Sequence, residues 1–546
     1  MSTKYRLLIV LVLHAILVLA VGVTVSAQQD TNTMRSQVFI HCGSPGWGIE
    51  GWFIGGVCGV LKHPVYEALL TQRFDRDTGT WSLTSNGLAS SWECTPDFTV
   101  WTFHLRENVL WHDGEPFTSE DVKYTVEMYA HPAIMGYGAV RIAGSLVGYD
   151  SYASGEASSI EGIELVDEYT VRFHHTSPNP LYDWHIHLDM PIVPKHRFED
   201  LPMEDVSTST RWAEPIGTGP FSFVSSVEGE FRVLEAFDEY WGGRPKVDNW
   251  IAYWENDEDA KVARLQAGEL EVTRLEARGV GADLAQALEE LKADGYQVIP
   301  DPSPLLGYLD IQPKNENITW PVRRAIALAI NREQLKQVTP YVEPWYTFGI
   351  GSEMLESPSI EEYNPEKARE ILAEEGFEQE GVWQLATGYA GAGVRRQLEA
   401  IAAMLGEIGL EVEVVQVDNP TIEMNFIEGD EYELNYDGAT VYPFDVLAPV
   451  FYRGEMGAYF NPGYEMPGLE AIFDKLAQTP YGEERNRLAQ AGQALIDYYV
   501  PSIPLFLRQE IFVIAPWFDT EGNLANHELR PFGDFRFQDW HFRDDG

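Results

Sequence analysis

Residues 88–127 read LASSWECTPDFTVWTFHLRENVLWHDGEPFTSEDVKYTVE, and this stretch restricts the fold of the chain more tightly than any other. Trp101, Phe103 and Leu105 alternate with Thr102, His104 and Arg106, the period-two pattern of a strand with one buried face. His112-Asp113-Gly114 supplies a turn. Thr118 can cap the helix that follows, with Asp121 three residues on as a shorter form of the usual capping-box glutamate. The order predicts a sheet packed on a helix.

At the N-terminus Lys4 and Arg6 precede an apolar run, Leu7 to Val23, interrupted by His14 and Gly22. Val25-Ser26-Ala27 then leads into polar Gln28-Gln29-Asp30. Residues 1–27 read as a signal peptide cleaved after Ala27. The alternative is a retained anchor, because the run approaches the roughly 17 residues that just span a bilayer. No later stretch of the sequence could cross a membrane. A lipid anchor would need a cysteine directly after the cleavage site, and the first cysteine is Cys42.

The chain has 546 residues, too many for one core, and about 100–200 residues per domain suggests about three domains. A formal charge of -47, from 85 acidic and 38 basic residues, repels nucleic acid and anionic lipid. It also disfavours polyanionic solutes, an effect that salt screens. Cys42, Cys58 and Cys94 allow at most one disulfide in an oxidising compartment. Cys42 with Cys58 is one pairing; three small buried thiols are the other reading. Their spacing matches no zinc pattern, and nothing in the sequence calls for a metal or cofactor.

Further along, Gln37 to His41 reads as a strand, followed by the glycine-rich loop 43–48. Thr170 to His174 reads as another. A turn, Gly217-Thr218-Gly219-Pro220, leads into Phe221-Ser222-Phe223, then Phe231 to Glu235 and the loop Asp238-Glu239-Tyr240-Trp241-Gly242-Gly243. Residues 261–267 form a helix stopped by Gly268 before a strand. Pro321 starts a helix with Val322, Ala325, Ile326 and Ala329 on one face. Asn364 caps a helix at Pro365 that buries Ala368, Ile371 and Leu372 and stops at Gly376. Leu398, Ile401, Leu405 and Ile408 form another stripe before a strand from Glu411 to Val417. A last helix, Glu483 to Tyr498, leads into 500–506. Strands alternating with helices predict an α/β architecture.

The 88–127 stretch and the turn–strand–loop at 217–243, in that order, resemble the extracytoplasmic solute-binding proteins of family 5, the dipeptide, oligopeptide and nickel receptors of ABC importers. The resemblance runs from about residue 36 to the end. It implies an α/β fold of the two-lobe, periplasmic-binding-protein-like type II, with an extra subdomain inserted in lobe one. The corresponding ranges are 36–65, 161–265 and 501–546 for lobe one, 66–160 for the subdomain, and 266–500 for lobe two. Met190 to His196 resembles the family's strand before a short helix. The implied function is capture of a peptide between the lobes and delivery to the permease subunits, by a monomer outside the cytoplasmic membrane, in the periplasm or on the outer cell surface. An oligosaccharide is the rival ligand, since some members bind one.

Catalytic signatures are missing: no G-x-S-x-G elbow, no Walker lysine loop and no H-E-x-x-H occurs. Acid clusters such as Glu255, Asp257, Glu258 and Asp259 read as a solvated face, although a secreted hydrolase with a cleft carboxylate pair remains the alternative of another class. On a strand His185 and His187 would share a face at a chelating spacing, but a structural role is the favoured reading. For the ligand, the resemblance points to the inter-lobe cleft. Trp47 and Trp52 follow the first strand, and Trp345 falls where the family lines the cleft from lobe two, each an aromatic face for stacking. The decisive region is 435–445, with Tyr436, Asp437, Tyr442, Phe444 and Asp445. In peptide-binding members an aspartate here pairs with the ligand's α-ammonium, and aligning Gly438 and Pro443 puts Ala439 at its position. Asp437, two residues earlier, would lie on the same strand face if the strand reaches that far.

Overall fold

The computed structural model describes residues 32–37, 64–75, 80–134, 142–188, 190–227, 230–253, 255, 257–276, 282–339, 342–346, 363–389, 392–422, 425–426, 429, 431–440, 466–480, 482–522 and 536–543. The signal peptide expected at 1–27, the 43–48 loop and Cys42 with Cys58 lie outside them. Cys94 is a free, half-buried thiol whose pKa is raised by burial and by Asp183 and Glu93. Among the described residues no helix is long and apolar enough to cross a membrane.

Among the described residues the first strand is β1 (Thr33–Gln37), which meets the expected 37–41 segment at Gln37; residues 38–41 lie outside the described residues. A hairpin, β2 (Thr71–Asp75) and β3 (Thr80–Thr84), follows. β4 (Ala89–Cys94) and β5 (Val100–Leu105) come next, then β6 (Ile163–Asp167) and β7 (Thr170–His174). These last four strands form one antiparallel sheet in the order β4-β5-β7-β6. In β5, Trp101, Phe103 and Leu105 are buried as the alternation predicts, and Phe103 meets Phe173 edge-on with ring centroids 5.8 Å apart. The sheet runs past residue 160, the expected end of the subdomain: β7 pairs with β5 from His174 to Thr170, so β6 and β7 share a sheet with β4 and β5. Pairing in a sheet, which a linear reading does not display, decides this.

The turn at 112–114 is built as expected, with Gly114 at φ +89 and its N–H donating to the Trp111 carbonyl at 2.8 Å. In the helix Ser119–Ala130 the Asp121 carboxylate accepts from the Thr118 backbone N–H at 2.9 Å and, with its other oxygen, from the Lys195 N–H at 2.9 Å. One side chain thus caps the helix and ties it to residue 195. Residues 190–194 are irregular, not a strand, and lead into the short helix Lys195–Phe198.

The large sheet is assembled from β8 (Phe221–Val227), β9 (Phe231–Ala236), β10 (Asn249–Tyr253), β11 (Val272–Glu276), β12 (Gln297–Ile311), β13 (Val342–Pro344), β14 (Trp383–Thr387), β15 (Val412–Gln416), β16 (Leu434–Thr440) and β17 (Ser502–Ile514), together with β1. Its order is β15-β14-β16-β12-β17-β11-β1-β10-β9-β8, with β13 also on β17. Two strands, β12 and β17, are long enough to serve both ends. Gln297–Asp301 of β12 pairs with 510–514, and Leu305–Ile311 pairs with 502–508. Between them the register slips: Asp301 faces Glu510 and Leu305 faces Arg508, so β12 spends four residues where β17 spends two. Pro302 and Pro304, which cannot donate to a ladder, stand in that interval.

Separate cores line the two ends. Near β1 and β10, Trp250, Phe221, Phe512 and Trp540 join one large cluster with the small sheet and its helix. At the other end Leu309, Ile326, Leu398, Leu434 and Ile503 form a second, and Leu306, Tyr308, Leu469, Phe473 and Ile496 a third on the opposite face of the sheet. β11 pairs in parallel with β1, and Leu284, Leu288 and Leu291 of the helix Ala282–Ala293 pack on Val262 and Leu265. The chain crosses along β12 itself and returns along β17.

The helices beyond follow their sequence signals. In Trp320–Ala329 the residues Val322, Ala325, Ile326 and Ala329 are buried. In Pro365–Glu374 the Asn364 side chain accepts from the Lys367 N–H, and Gly376 ends the helix region at φ +61.

Candidate functional site

In open α/β sheets ligands bind beyond the carboxyl ends of the parallel strands. β1, β10 and β11 are parallel neighbours at one end of this sheet, and β14, β15 and β16 at the other. The carboxyl end of β11, Glu276, pairs with Glu510; that of β16, Thr440, pairs with Leu305, which faces Arg508. Both sets of strand ends therefore reach the same interval, the register slip of β12.

β16 forms because Leu434 and Tyr436 on one face are buried in the second core while Asn435 and Asp437 occupy the other face. The strand reaches Thr440, so Asp437 and Ala439 share a face, the condition the sequence reading set for Asp437. Its carboxylate accepts from the Tyr389 hydroxyl at 2.8 Å and from the Gly438 N–H at 2.6 Å, and it is half-buried.

Across the ladder Tyr308 pairs with Asp437, and Asp310 pairs with Asn435 on one side and Ser502 on the other. Asp310 accepts from the Ser502 hydroxyl at 2.5 Å. Burial pushes its pKa up to about 7; the Ser502 hydrogen bond opposes this and the Asp437 charge adds to it. Sequence reasoning missed Asp310, although a carboxylate inside the apolar run Leu305 to Ile311 was a visible signal.

Trp345 follows β13. Its N–H donates to the Leu505 carbonyl at 3.1 Å, its carbonyl accepts from Arg332 Nε at 3.1 Å, and its half-buried ring packs against the third core. Arg332 is itself buried, donating also to the Pro504 carbonyl at 2.9 Å and lying 4.8 Å from the centre of the Tyr346 ring. Burial lowers its pKa to about 10, so it keeps its charge at neutral pH.

Tyr436 is a correction. Expected at the ligand, it is 1% exposed and points into the second core, with its ring 5.9 Å from that of Tyr389 and 6.3 Å from that of Phe506. Strand alternation forces this: if Asp437 faces outward, Tyr436 cannot. Trp47, Trp52, Tyr442, Phe444 and Asp445 lie outside the described residues. The histidine reading is corrected too. His185 and His187 sit on the helix Tyr182–Leu188, where residues two apart do not share a face. Among the described residues no group of three or more His, Cys, Asp or Glu is arranged to hold a metal ion.

The 217–243 motif acts within the first core region. A Cβ at Gly217 would lie 1.7 Å from the Val65 carbonyl oxygen, and one at Gly219 2.5 Å from that of Pro64, so only glycine lets these backbones touch. Beside them Glu67 accepts from the Tyr240 hydroxyl at 3.0 Å and from Trp241 Nε1 at 2.9 Å. Burial nonetheless raises its pKa to about 7. The motif is a structural clasp.

Comparison with known proteins accords with this architecture. Residues 84–450 match the profile of the bacterial extracellular solute-binding proteins, family 5 middle region. A Brucella ovis protein named as an ABC transporter peptide-binding protein is 30% identical over 345 residues, 61% of this chain and 60% of that relative's length. The Escherichia coli dipeptide-binding protein is 25% identical over 423 residues, covering 73% of this chain and 75% of its own. The oligopeptide-binding protein AppA of Bacillus subtilis, solved with a nonapeptide, superposes with a TM-score of 0.73 at 19% identity, over 94% of this chain and 99% of its own. With the profile spanning well over half its length, the chain belongs to the bacterial extracellular solute-binding proteins of family 5.

Proposed function

We propose that this protein captures a peptide between two lobes and hands it to the permease subunits of an ABC importer. The first lobe is built around the β1–β10 core and the second around the cores flanking β12, β14 and β16. β12 and β17 form the hinge about which they close. Asp437 carries this reading: a half-buried carboxylate near the meeting point of the strand ends, held by the Tyr389 hydroxyl. A desolvated ligand ammonium needs such a partner. The relatives named for peptide binding support the same ligand class.

The test is thermal-shift and calorimetric titration of residues 28–546 with short peptides, their N-acetylated forms and oligosaccharides, because a ligand that binds only the folded form raises its melting temperature. Free-amine peptides are expected to bind, with acetylation or Asp437→Asn weakening them about tenfold or more, in the range of a buried charge-assisted pair. Binding that ignores both changes removes Asp437 from the role of anchor. Stabilisation by oligosaccharides alone removes the peptide.

A further inference from the structure

The face of the sheet that carries Asp437 holds more acceptors than one ammonium needs. Asp310 and Asn435 are direct cross-strand partners, so their Cβ atoms lie about 4.5–5.5 Å apart, and Asp437 is the diagonal neighbour of Asp310 on that face. Asn435 is 3% exposed, and its side-chain carbonyl oxygen is buried without a hydrogen-bond partner. Buried acceptors of this kind are ordinarily satisfied. Beyond them Gln312, 1% exposed, closes that end, with its amide nitrogen donating to the carbonyls of Phe426 at 3.0 Å and Tyr432 at 3.2 Å.

We propose that Asp310 and Asn435 form a second cation subsite behind Asp437, which takes an ammonium or guanidinium group of the solute and selects peptides that carry a basic residue. This rests on the peptide reading above. Three acceptors share one face of the sheet on adjacent strands: the carboxylates of Asp310 and Asp437 and the orphaned carbonyl of Asn435. Burial, with the neighbouring Asp437 charge adding to it, lets Asp310 hold a proton up to about pH 7. Asp437 is the charged group that acts on it, and Ser502 on β17 is its hydrogen-bond donor. An entering cation reverses the balance. Asp310 ionises, its proton leaves to solvent, and the new charge pairs with the ligand. The affinity for basic peptides therefore climbs as pH rises through neutrality, whereas that for neutral peptides does not. The acidic surface of the whole chain, at -47, favours the same ligands at a distance.

The experiment compares a tripeptide containing lysine with its norleucine counterpart, which matches the lysine stem without the charge. Titrations at pH 6.5 are run in two buffers of different ionisation enthalpy, and sodium, potassium and calcium chlorides are titrated alone. The wild-type protein is expected to prefer the lysyl peptide by about tenfold, the effect of one charge-assisted pair, and to release a proton fraction with it and none with norleucine. Asp310→Asn, which keeps an acceptor for Ser502, is expected to abolish both the preference and the proton release, since the pair it removes is specific to the cation. Equal affinities in the wild type, or a preference and proton release that survive in Asp310→Asn, overturn the subsite even if peptides bind. A metal chloride that binds and blocks the lysyl peptide only by filling the same place supports a cation site; one that binds while the lysyl peptide shows no preference overturns the peptide assignment of it. If no peptide binds the folded wild type at all, the broader reading falls instead. The proton-release measurement needs no variant, so misfolding of Asp310→Asn leaves the inference open to refutation.

Discussion

Glu67 shows how a single buried acid shapes this molecule. Its pKa rises from the ordinary glutamate value to about 7, mainly through burial, against the opposing hydrogen bonds from Trp241 and Tyr240 and the charge of Arg106. The folded state thus holds a proton that the unfolded chain has already lost between pH 4.5 and about 7. Stability from this group is fully present below pH 4.5 and is lost as pH climbs through the folded value, by up to about 3 kcal/mol. Glu67→Gln imitates the protonated form. Urea unfolding is expected to find the variant level with the wild type near pH 5 and more stable by about 1–3 kcal/mol above pH 8, with the gap closing as pH falls. A gap independent of pH would refute this assignment. At the same scale the condition set for Asp437, a strand that reaches past it, is met by β16, which runs from Leu434 to Thr440; the part of Asp437 at the ligand is the proposal made above. Tyr436, its neighbour in sequence, lies in the core because a strand sends neighbours to opposite faces.

At the scale of elements, helices with their own punctuation were the easiest to read. Asn364 before Pro365, with Gly376 after, marked both ends of one helix locally, and its side chain does accept from the Lys367 N–H at 3.0 Å. Asn364→Ala is expected to cost about 1 kcal/mol in chemical denaturation, with Asn364→Gly or Asp milder. No measurable loss would mean that packing against the helix Trp320–Ala329 holds the segment without its cap. Residues 182–188 show the opposite case. Trp184-His185-Ile186-His187-Leu188 alternates as a strand would, yet the segment is helical. Trp184 and Ile186 are both buried although a helix turns them to different sides, because this helix is covered on more than one face. Periodicity cannot distinguish that from a strand when the run is short.

Across the whole molecule the sheet is continuous while its cores are not, and β12 and β17 carry the load between them. The chain's -47 charge makes every part repel every other part. Raising sodium chloride from about 0.01 M to about 1 M shrinks the screening length from about 30 Å to about 3 Å. The melting temperature is expected to rise by several degrees over that range and to level off; a fall would mean that surface ion pairs such as Arg244 with Asp238 and Asp248 outweigh the repulsion. Strand pairing between distant segments decides at this scale which stretches share a sheet: β6 and β7 join β4 and β5, and β11 joins β1.

The amino-acid sequence alone determined what depends on neighbours within a few residues. The β5 alternation, the Asp121 and Asn364 caps, the glycine stops, the α/β class and the family resemblance all rest on local stereochemistry or on side chains close in the chain. Tertiary structure alone decided which strands pair, that β11 stays beside β1, that Tyr436 turns into the core, and that Asp310, Asn435 and Asp437 share one face. Those outcomes turn on register between segments far apart in the chain, where each pairing competes with others of similar local propensity and only the packed whole selects one.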